Sequence, residues 1–366
     1  MTTEFQFTDD LGPEKVIELY EPSVGLRAIL VVDNVAAGPA IGGVRMAVDV
    51  DARECFRLAR AMTLKNAMAG LAHGGGKSVI AADPSMPHED KTRLLRAFAR
   101  AIADVHDYIP GPDMGTNEVS MAQVKSVIGR AVGLPREIGG IPLDEIGATG
   151  LGLAAAVEAA RPFCDLDMAG ARVVVQGFGS VGQHAARFLQ HSGARLVAVS
   201  DSGGARICET GFDIEKLIEL KVAGKSVASS DQGSTLAADE LLAVPCEIWI
   251  PAARPDVITE ENAARIDAKI VAQGANIPAT EGAEKILAER GILVLPDFVA
   301  NAGGVICAAV EYHGGSEAQA LETIRQRIGT NTTQILKRMA EQGGLPREAA
   351  LAIARERVLR AMSFRT

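Results

Sequence analysis

The chain has 366 residues, of which 48% are hydrophobic, and its 37 basic and 46 acidic residues give a formal net charge of −9. A domain typically has about 100–200 residues, so this length predicts two domains, and the apolar content excludes a largely disordered chain. The acidic balance argues against nucleic acid or an anionic membrane surface as the main partner.

The five cysteines are dispersed, and no two of them have the spacing Cys-x-x-Cys. An odd, scattered set in a chain of this length predicts free thiols in a reducing compartment, without a disulfide framework or a zinc cluster. The acidic segment MTTEFQFTDD lacks the apolar core of a secretory signal, and no segment reaches the ~20 apolar residues of a membrane helix. We therefore predict a cytoplasmic protein without a metal site.

The first half of the chain alternates strands and helices. Apolar periodicity predicts two strands and then two helices, at residues 15–20, 26–34, 51–71 and 89–106. The segment GPAIGGVRM, residues 38–46, is rich in glycine and is predicted as a loop. The three glycines at 74–76 predict a turn from which a strand starts at Lys77.

The second half has the pattern of a doubly wound α/β domain. A stretch rich in glycine and proline, residues 136–147, predicts a connection between two domains. Apolar runs predict buried strands separated by helices, at residues 171–176, 195–200, 247–250, 270–272 and 293–295. This βαβαβ alternation predicts a doubly wound parallel sheet, and from Glu317 onward the pattern is helical.

A glycine motif follows the strand predicted at 171–176. Gly-x-Gly-x-x-Gly alone is a weak signal, but here an apolar strand precedes it and an amphipathic helix follows it. Its first glycine suits the tight turn, its second the approach of a pyrophosphate, and its third close helix–strand packing. The motif therefore predicts a dinucleotide site at the helix N-terminus. The predicted contacts are Gly177, Phe178, Gly179, Ser180, Val181 and Gly182.

Asp201 ends the next predicted strand, 24 residues after Gly177. A carboxylate there is predicted to accept hydrogen bonds from the adenosine ribose and to repel a 2′-phosphate, which favours NAD. The alternative is that Asp201 caps the turn formed by residues 202–204. Arg206 is close enough in sequence to serve a 2′-phosphate, so NADP is not excluded.

Three charged residues, Lys65, Lys77 and Asp113, lie beside glycine-rich segments of the first half. A dehydrogenase that acts on an amine-bearing carbon needs a cation for the substrate carboxylate, a base for water and a carboxylate that exchanges protons with nitrogen. Because desolvation disfavours an ammonium, a lysine next to apolar sequence is suited to act as the base. The alternative is two surface lysines that flank a flexible loop.

The chain resembles the glutamate/leucine/phenylalanine/valine dehydrogenase family over nearly its whole length. The similar motifs, in the family's order, are GPAIGGVRM, MTLKNA, GGGK, PGPDMGTN, ATGLG, VVVQGFGSVG, GAN and NAGGV. The resemblance implies a substrate-binding and oligomerisation domain over residues 1–138, with the C-terminal helices of 330–366 packing back on it. It also implies a Rossmann domain over 139–329, a cleft between the two domains, and a homo-oligomer.

The resemblance also implies site residues. Lys77 corresponds to the catalytic base, Lys65 to the lysine that binds the α-carboxylate, and Asp113 to the carboxylate that exchanges protons with the amine. Four further residues correspond to cofactor contacts, namely Thr149, Ala253, Asn276 and Asn301. The implied reaction is reversible oxidative deamination, in which an L-amino acid, NAD and water give a 2-oxo acid, ammonia and NADH.

Two positions predict which amino acid is bound. Members of the family specific for glutamate have a lysine where this chain has Ile41, and a serine where it has Ala308. Burying a second carboxylate without a partner costs on the order of 3 kcal/mol or more, whereas burial of an apolar side chain gains about 1.5–3 kcal/mol. We predict an apolar substrate such as leucine, valine or phenylalanine. The predicted substrate contacts are Ile41, Gly42, Gly43, Met62, Val305 and Ala308.

There are three alternatives to this function. A glutamate dehydrogenase is the first alternative, with a carboxylate partner elsewhere, such as Arg45. A dinucleotide-binding regulator without catalysis is disfavoured because Lys65, Lys77 and Asp113 are all present. A hydroxy-acid dehydrogenase is disfavoured because the sequence shows no evident pairing of a catalytic histidine with an arginine.

Overall fold

A computed structural model of the protein describes residues 7–237 and 239–365, which divide into two compact units. Unit 1 is formed by the chain up to Leu143, Val305–Ala320 and the residues from Leu351 onward. Unit 2 is formed by Asp144–Gly304 and Leu321–Ala350. These bounds differ from the predicted 1–138 with 330–366, and 139–329, since residues 305–320 belong to unit 1 and residues 321–350 to unit 2.

Five strands form one sheet in the described part of unit 1. They are β1 (Lys15–Glu21), β2 (Leu26–Asn34), β3 (Ala40–Ala47), β4 (Gly74–Ala81) and β5 (Tyr108–Pro112). Their order is β1-β2-β4-β3-β5, and β3 pairs in parallel with both β4 and β5. The helices of this half are α1 (Ala52–Met68), α2 (His88–Ala101) and α3 (Glu118–Ile128).

The glycine-rich segments of unit 1 are strands, so the predictions of a loop at 38–46 and a turn at 74–76 are wrong. A Cβ added to Gly42 would lie 1.7 Å from the carbonyl oxygen of Gly76, and one added to Gly74 would lie 1.7 Å from that of Asn34. At Gly75 it would lie 2.0 Å from the backbone nitrogen of Thr63 in α1. These glycines therefore allow strands and a helix to pack closely, where composition alone indicates a flexible loop.

Unit 2 contains strands β6 (Arg172–Gln176), β7 (Arg195–Asp201), β8 (Gly204–Ile207), β9 (Ser234–Leu236), β10 (Ile248–Pro251), β11 (Ile270–Ala272) and β12 (Leu293–Leu295). Their order is β12-β11-β10-β6-β7-β8-β9, and the first five of these are parallel. The predicted doubly wound sheet is confirmed. Its strand order reverses between β6 and β10, where sheets of this kind bind their ligands. The antiparallel edge of β8 and β9 was not predicted.

The helices of unit 2 are α4 (Ala148–Cys164), α5 (Ser180–His191), α6 (Ile214–Val222), α7 (Glu281–Glu289) and α8 (Asp297–Ala300). The last helices of the chain are α9 (Gly303–Tyr312), α10 (Glu317–Gln342) and α11 (Pro346–Met362). Within the described residues, no helix combines the length and apolar character that crossing a membrane requires.

We expect Gly42→Ala to destabilise unit 1. The added methyl group would meet backbone atoms of β4, which cannot move aside as a flexible side chain can. The free energy of unfolding, measured by urea denaturation, should fall by about 3 kcal/mol, the upper end for overpacking. Gly111→Ala in β5 is the matched control, because its methyl group would lie 3.1 Å from the end of the Val132 side chain and no closer than 3.9 Å to the Val132 carbonyl oxygen. Equal stability of the two variants would contradict the close-packing role of Gly42.

Candidate active site

Lys77 and Asp113 form an ion pair in unit 1. Lys77 lies in β4 with 5% of its surface exposed, and its ammonium contacts the carboxylate of Asp113, which follows β5. Arg45 of β3 donates from Nε to Asp113 Oδ2 at 3.1 Å, and its Nη1 pairs with Glu54 of α1. Burial opposes ionisation of Asp113, but the charges of Lys77 and Arg45 outweigh it and hold the pKa of this carboxyl below its ordinary value.

A turn fixes the position of Asp113. The Asp113 N–H donates to Thr116 Oγ1 at 3.0 Å, and the Thr116 hydroxyl lies 2.8 Å from the carbonyl oxygen of Val44 in β3. The loop after β5 is therefore tied to the strand that carries Arg45. This explains why Asp113 lies beside Lys77 although 36 residues separate them in the sequence.

Gly43 leaves room beside the ion pair. A Cβ at this position would lie 2.8 Å from Asp113 Cβ and 3.2 Å from Lys77 Nζ. Side chains alternate between the two faces of a strand, so Ile41 projects to the same face, about 7 Å along β3. Ile41 is buried, with 3% of its surface exposed. The Gly42 carbonyl accepts a hydrogen bond from the Tyr108 hydroxyl at 2.9 Å.

The end of α1 that carries Lys65 is anchored by two residues that the sequence analysis missed. The buried Asn66 amide donates to the carbonyls of Gly74 at 2.7 Å and of Ile41 at 3.3 Å. Arg357 of α11 donates to the last carbonyls of the helix, at 2.7 and 3.0 Å. Lys65 and Met62 are both half-buried on this anchored segment.

Helix α9 carries two of the predicted substrate residues, Val305, which is half-buried, and Ala308, which is buried. Glu311 of the same helix accepts hydrogen bonds from the backbone N–H groups of Ile141 at 2.7 Å and Leu134 at 3.3 Å. Burial raises the pKa of the Glu311 carboxyl, although these backbone bonds oppose the shift. The carboxylate therefore fixes α9 against the segment before residue 143, another contact absent from the sequence predictions.

In unit 2, the glycine motif has the geometry that its three predicted roles require. Gly177 has φ of +95°, and a Cβ there would lie 2.7 Å from Ala253 Cα, after β10. A Cβ on Gly182 would lie 2.1 Å from the carbonyl oxygen of Gly177, whereas the space around Gly179 is open. Gly179 caps the N-terminus of α5, so its open side fits the approach of a diphosphate. The Phe178 side chain is buried, which leaves only its backbone for a ligand.

The Asp201 carboxylate is surrounded by donors from its own unit. Oδ1 accepts from the Gly203 N–H at 2.9 Å and the Ser226 hydroxyl at 2.6 Å. Oδ2 accepts from Lys221 Nζ at 2.5 Å and the Val227 N–H at 3.0 Å. Burial opposes ionisation, but these four donors together lower the pKa of Asp201 to about 2. The bond to Gly203 is the turn cap that the sequence analysis held as the alternative, and the contact with ribose stays a prediction.

The remaining predicted cofactor residues lie near the carboxyl ends of the parallel strands. Asn301, at the C-terminus of α8, donates from Nδ2 to Asn276 Oδ1 at 3.0 Å and to the carbonyl of Gly274 at 3.3 Å. A Cβ on Gly303 would lie 3.1 Å from Thr149 Cα, in the first turn of α4. The structure thus brings Asn276 and Asn301 together and places Thr149 beside the segment that follows them. Within residues 7–237 and 239–365, no three His, Cys, Asp or Glu side chains are grouped to hold a metal ion.

Two family profiles match the chain. The profile described as "Glu/Leu/Phe/Val dehydrogenase, dimerisation domain" covers residues 13–128, and that of "Glutamate/Leucine/Phenylalanine/Valine dehydrogenase" covers residues 139–366. The chain belongs to the glutamate/leucine/phenylalanine/valine dehydrogenase family. The resemblance predicted from the motifs is confirmed, and this dehydrogenase is an oxidoreductase that acts on the CH–NH2 group of amino acids.

Curated relatives of the dehydrogenase include both cofactor types. It is 39% identical to a glutamate dehydrogenase of Aeropyrum pernix, covering 91% of this chain and 85% of the relative. It is 38% identical to an NADP-specific glutamate dehydrogenase of Saccharolobus shibatae, covering 91% and 83%. It is 37% identical to an NAD-specific glutamate dehydrogenase of Staphylococcus aureus, covering 81% and 75%.

Solved structures similar to the dehydrogenase include enzymes for two kinds of side chain. One is the hetero-hexameric glutamate dehydrogenase of Thermus thermophilus in its leucine-bound form, with a TM-score of 0.85 and 30% identity over 97% of this chain and 90% of that chain. Another is the L-tryptophan dehydrogenase of Nostoc punctiforme, with a TM-score of 0.77 and 25% identity over 96% and 98%.

We expect Glu311 to make the stability of the dehydrogenase depend on pH. Because its folded-state pKa is raised, the folded chain binds more protons than the unfolded chain above the ordinary carboxyl pKa of about 4.3. Its contribution to the free energy of unfolding is complete below that pH and is lost as the pH rises through the raised pKa. Glu311→Gln removes this titration, so the free energy of unfolding of the variant should fall less than that of the parent as the pH rises above the ordinary carboxyl pKa. Parallel pH profiles in urea denaturation would contradict this expectation.

Proposed function

We propose that the protein catalyses the reversible, NAD-dependent oxidative deamination of an apolar L-amino acid of the leucine, valine or phenylalanine type. The observation that carries the substrate class concerns the sheet face on which Lys77 lies. On that face, the neighbouring side chain of β3 is the buried Ile41. Arg45, two positions after Gly43 in the same strand, is already paired with Asp113 and Glu54.

The chain's own residues supply the polar chemistry of this reaction. Lys65 binds the α-carboxylate that every amino acid carries. Lys77 first passes the proton of its ammonium to Asp113 and then, as the neutral amine, accepts a proton from the water molecule that adds to the imine carbon. Asp113 passes its proton on to the substrate nitrogen. The contact between Lys77 and Asp113 supports this division of roles, because it allows a proton to pass between the two groups. The nicotinamide, when bound, supplies the hydride acceptor.

Glutamate differs from an apolar substrate by the carboxylate of its side chain, which needs a partner when it is buried. Arg45 was the sequence-based candidate for binding it, but its guanidinium is committed to two carboxylates in unit 1. A glutamate side chain beside Ile41 would lose its hydration without a compensating cation, at a cost on the order of 3 kcal/mol or more. An aliphatic or aromatic side chain would instead gain about 1.5–3 kcal/mol from burial.

Glutamate is the second candidate substrate, because the curated relatives described above are glutamate dehydrogenases. The tryptophan dehydrogenase of Nostoc punctiforme supports the first candidate, since its fold accommodates an apolar side chain. We assign NAD as the preferred cofactor on the basis of the Asp201 charge. Lys221 pairs with that charge and therefore weakens its repulsion of a 2′-phosphate. Activity with NADP is accordingly part of the test. The dimerisation domain named by the family profile supports a homo-oligomer.

The direct test is formation of NADH from each of the twenty L-amino acids, repeated with NADP. We expect kcat/KM for leucine, valine or phenylalanine to exceed that for glutamate by about tenfold or more, which corresponds to about 1.4 kcal/mol. Robust turnover of glutamate with little turnover of these three would overturn the apolar assignment. A chain that binds NADH but turns over none of the twenty would instead support a regulator without catalysis.

Ile41→Lys tests whether the residue at position 41 determines which substrate side chain is bound. A cation on this sheet face should pair with the second carboxylate of glutamate and disfavour an apolar side chain. We expect the ratio of kcat/KM for glutamate to that for leucine to rise by about 100-fold, within the range for gain of a buried charge pair. Ile41→Val is the matched control and should leave the ratio within about threefold of the parent. An unchanged ratio in Ile41→Lys would show that another residue sets the substrate class.

Lys77→Ala tests the base. General acid–base catalysis contributes about 10²–10⁴-fold, so we expect kcat to fall by about 100-fold or more, while the Kd for NADH stays within about twofold. Lys15→Ala is the matched control, because Lys15 is an exposed lysine of β1 in the same sheet. Turnover by Lys77→Ala within about threefold of the parent would exclude Lys77 as the base.

A further inference from the structure

A buried ionic cluster lies in unit 2, outside the set of residues assigned to the reaction. Arg347 of α11 donates to Glu284 Oε1 at 2.8 Å, to Asp297 Oδ1 at 2.9 Å and to Gln273 Oε1 at 2.8 Å. The side chains of Glu284 and Asp297 are 4% and 8% exposed. One guanidinium therefore holds two buried carboxylates, and Glu284 also accepts hydrogen bonds from Arg347 Nε at 2.9 Å.

The second oxygen of Asp297 accepts a hydrogen bond from the backbone of a strained residue. Asp297 Oδ2 lies 2.9 Å from the N–H of Ile277, whose φ is +48°. This left-handed conformation is unusual for any residue with a side chain, and especially so for a β-branched one. Ile277 is 52% exposed, so burial does not explain why the conformation persists. Two hydrogen bonds hold its backbone: the Ile277 N–H donates to Asp297, and the Ile277 carbonyl accepts from the Asp256 N–H at 3.0 Å.

Ile277 directly follows Asn276, one of the two asparagines expected to contact the cofactor. The loop that contains both residues is held from the two ends of α8. Asp297, the first residue of that helix, bonds the Ile277 N–H, while Asn301, at its C-terminus, bonds Asn276 Oδ1 and the carbonyl of Gly274. The orientation of Asn276 thus depends on the backbone conformation of its neighbour.

We propose that Asp297, itself held by Arg347, is a positioning residue for cofactor binding. It keeps Ile277 in the left-handed conformation, and this aims Asn276 and Asn301 at the nicotinamide end of the cofactor. The inference rests on the proposed function, in which these two asparagines contact the cofactor. It adds a residue that touches neither substrate nor cofactor and acts only through the loop.

Glycine at position 277 provides a specific test. Glycine adopts the left-handed conformation without a steric penalty, so a chain with Ile277→Gly no longer needs the anchor. Asp297→Asn keeps the shape of the side chain. The amide oxygen of the new asparagine faces Arg347, so its NH2 group faces the Ile277 N–H. Two donors then face each other, and the hydrogen bond to Ile277 is lost. The effects of the two substitutions on cofactor binding should therefore be strongly non-additive.

The readout is the Kd for NADH from fluorescence titration of the full chain without an amino-acid substrate. We expect Asp297→Asn to raise this Kd by about tenfold. This factor corresponds to the loss of one hydrogen bond when a buried group is left unsatisfied. Ile277→Gly alone should leave it within about threefold of the parent, and the double variant should return to that range. Amide hydrogen exchange of residues 274–278 in the protein without cofactor should rise in Asp297→Asn, a readout that does not depend on NADH.

Glu284→Gln is the matched control. It weakens the other carboxylate contact of Arg347 but does not touch the loop, so it should lower the melting temperature while the Kd stays within about twofold of the parent. A parent that does not bind NADH would overturn the proposed function together with this inference. A parent that binds, with an unchanged Kd in Asp297→Asn, would overturn the inference alone. A double variant that binds NADH as weakly as Asp297→Asn does would also overturn the inference, because Asp297 would then act through something other than the conformation of Ile277.

Discussion

The close approach of β3, β4 and α1 is the constraint on which unit 1 depends. Where Gly42 and Gly75 lack side chains, the backbones of two strands and a helix contact one another directly. This packing brings Gly43 beside the ion pair of Lys77 and Asp113 and sets Ile41 on the same sheet face. The arrangement of charge and apolar surface at the site is thus a consequence of backbone sterics, and any methyl group at these contacts would separate the elements that build it.

The proposed substrate class rests on the charge balance at that site. Lys77 and Arg45 both contact Asp113, and Arg45 also contacts Glu54, so the two cations and two carboxylates satisfy one another within unit 1. An arginine engaged in this way holds the Asp113 carboxylate in place and is not available to a substrate side chain. The assignment of an apolar substrate therefore depends on the partners of Arg45 as much as on Ile41, whereas overall similarity to glutamate dehydrogenases points the other way.

Unit 2 uses buried polar contacts to stabilise conformations that its local sequence does not favour. Asp297 holds a β-branched residue at positive φ, and four donors surround Asp201. The sequence predicts Asp201 at the end of a strand, where it lies, but does not reveal these donors. Lys221 and Ser226 come from a helix and a loop that are 20 and 25 residues away in the chain. The same limit applies to the C-terminal segments, which the sequence analysis assigned to one domain and which divide between the two units.

The sequence by itself determined the features that depend on residues close together in the chain. Apolar periodicity marks most strands and helices, and the glycine motif between β6 and α5 indicates the dinucleotide fold, because each requirement is local. Only the tertiary structure decided which polar groups meet. Arg45 contacts Asp113 across 68 residues, and Arg347 contacts Glu284 across 63. It also decided that the glycine-rich segments at 38–46 and 74–76 belong to strands, since the atoms that exclude a side chain at Gly42 and Gly74 come from other strands.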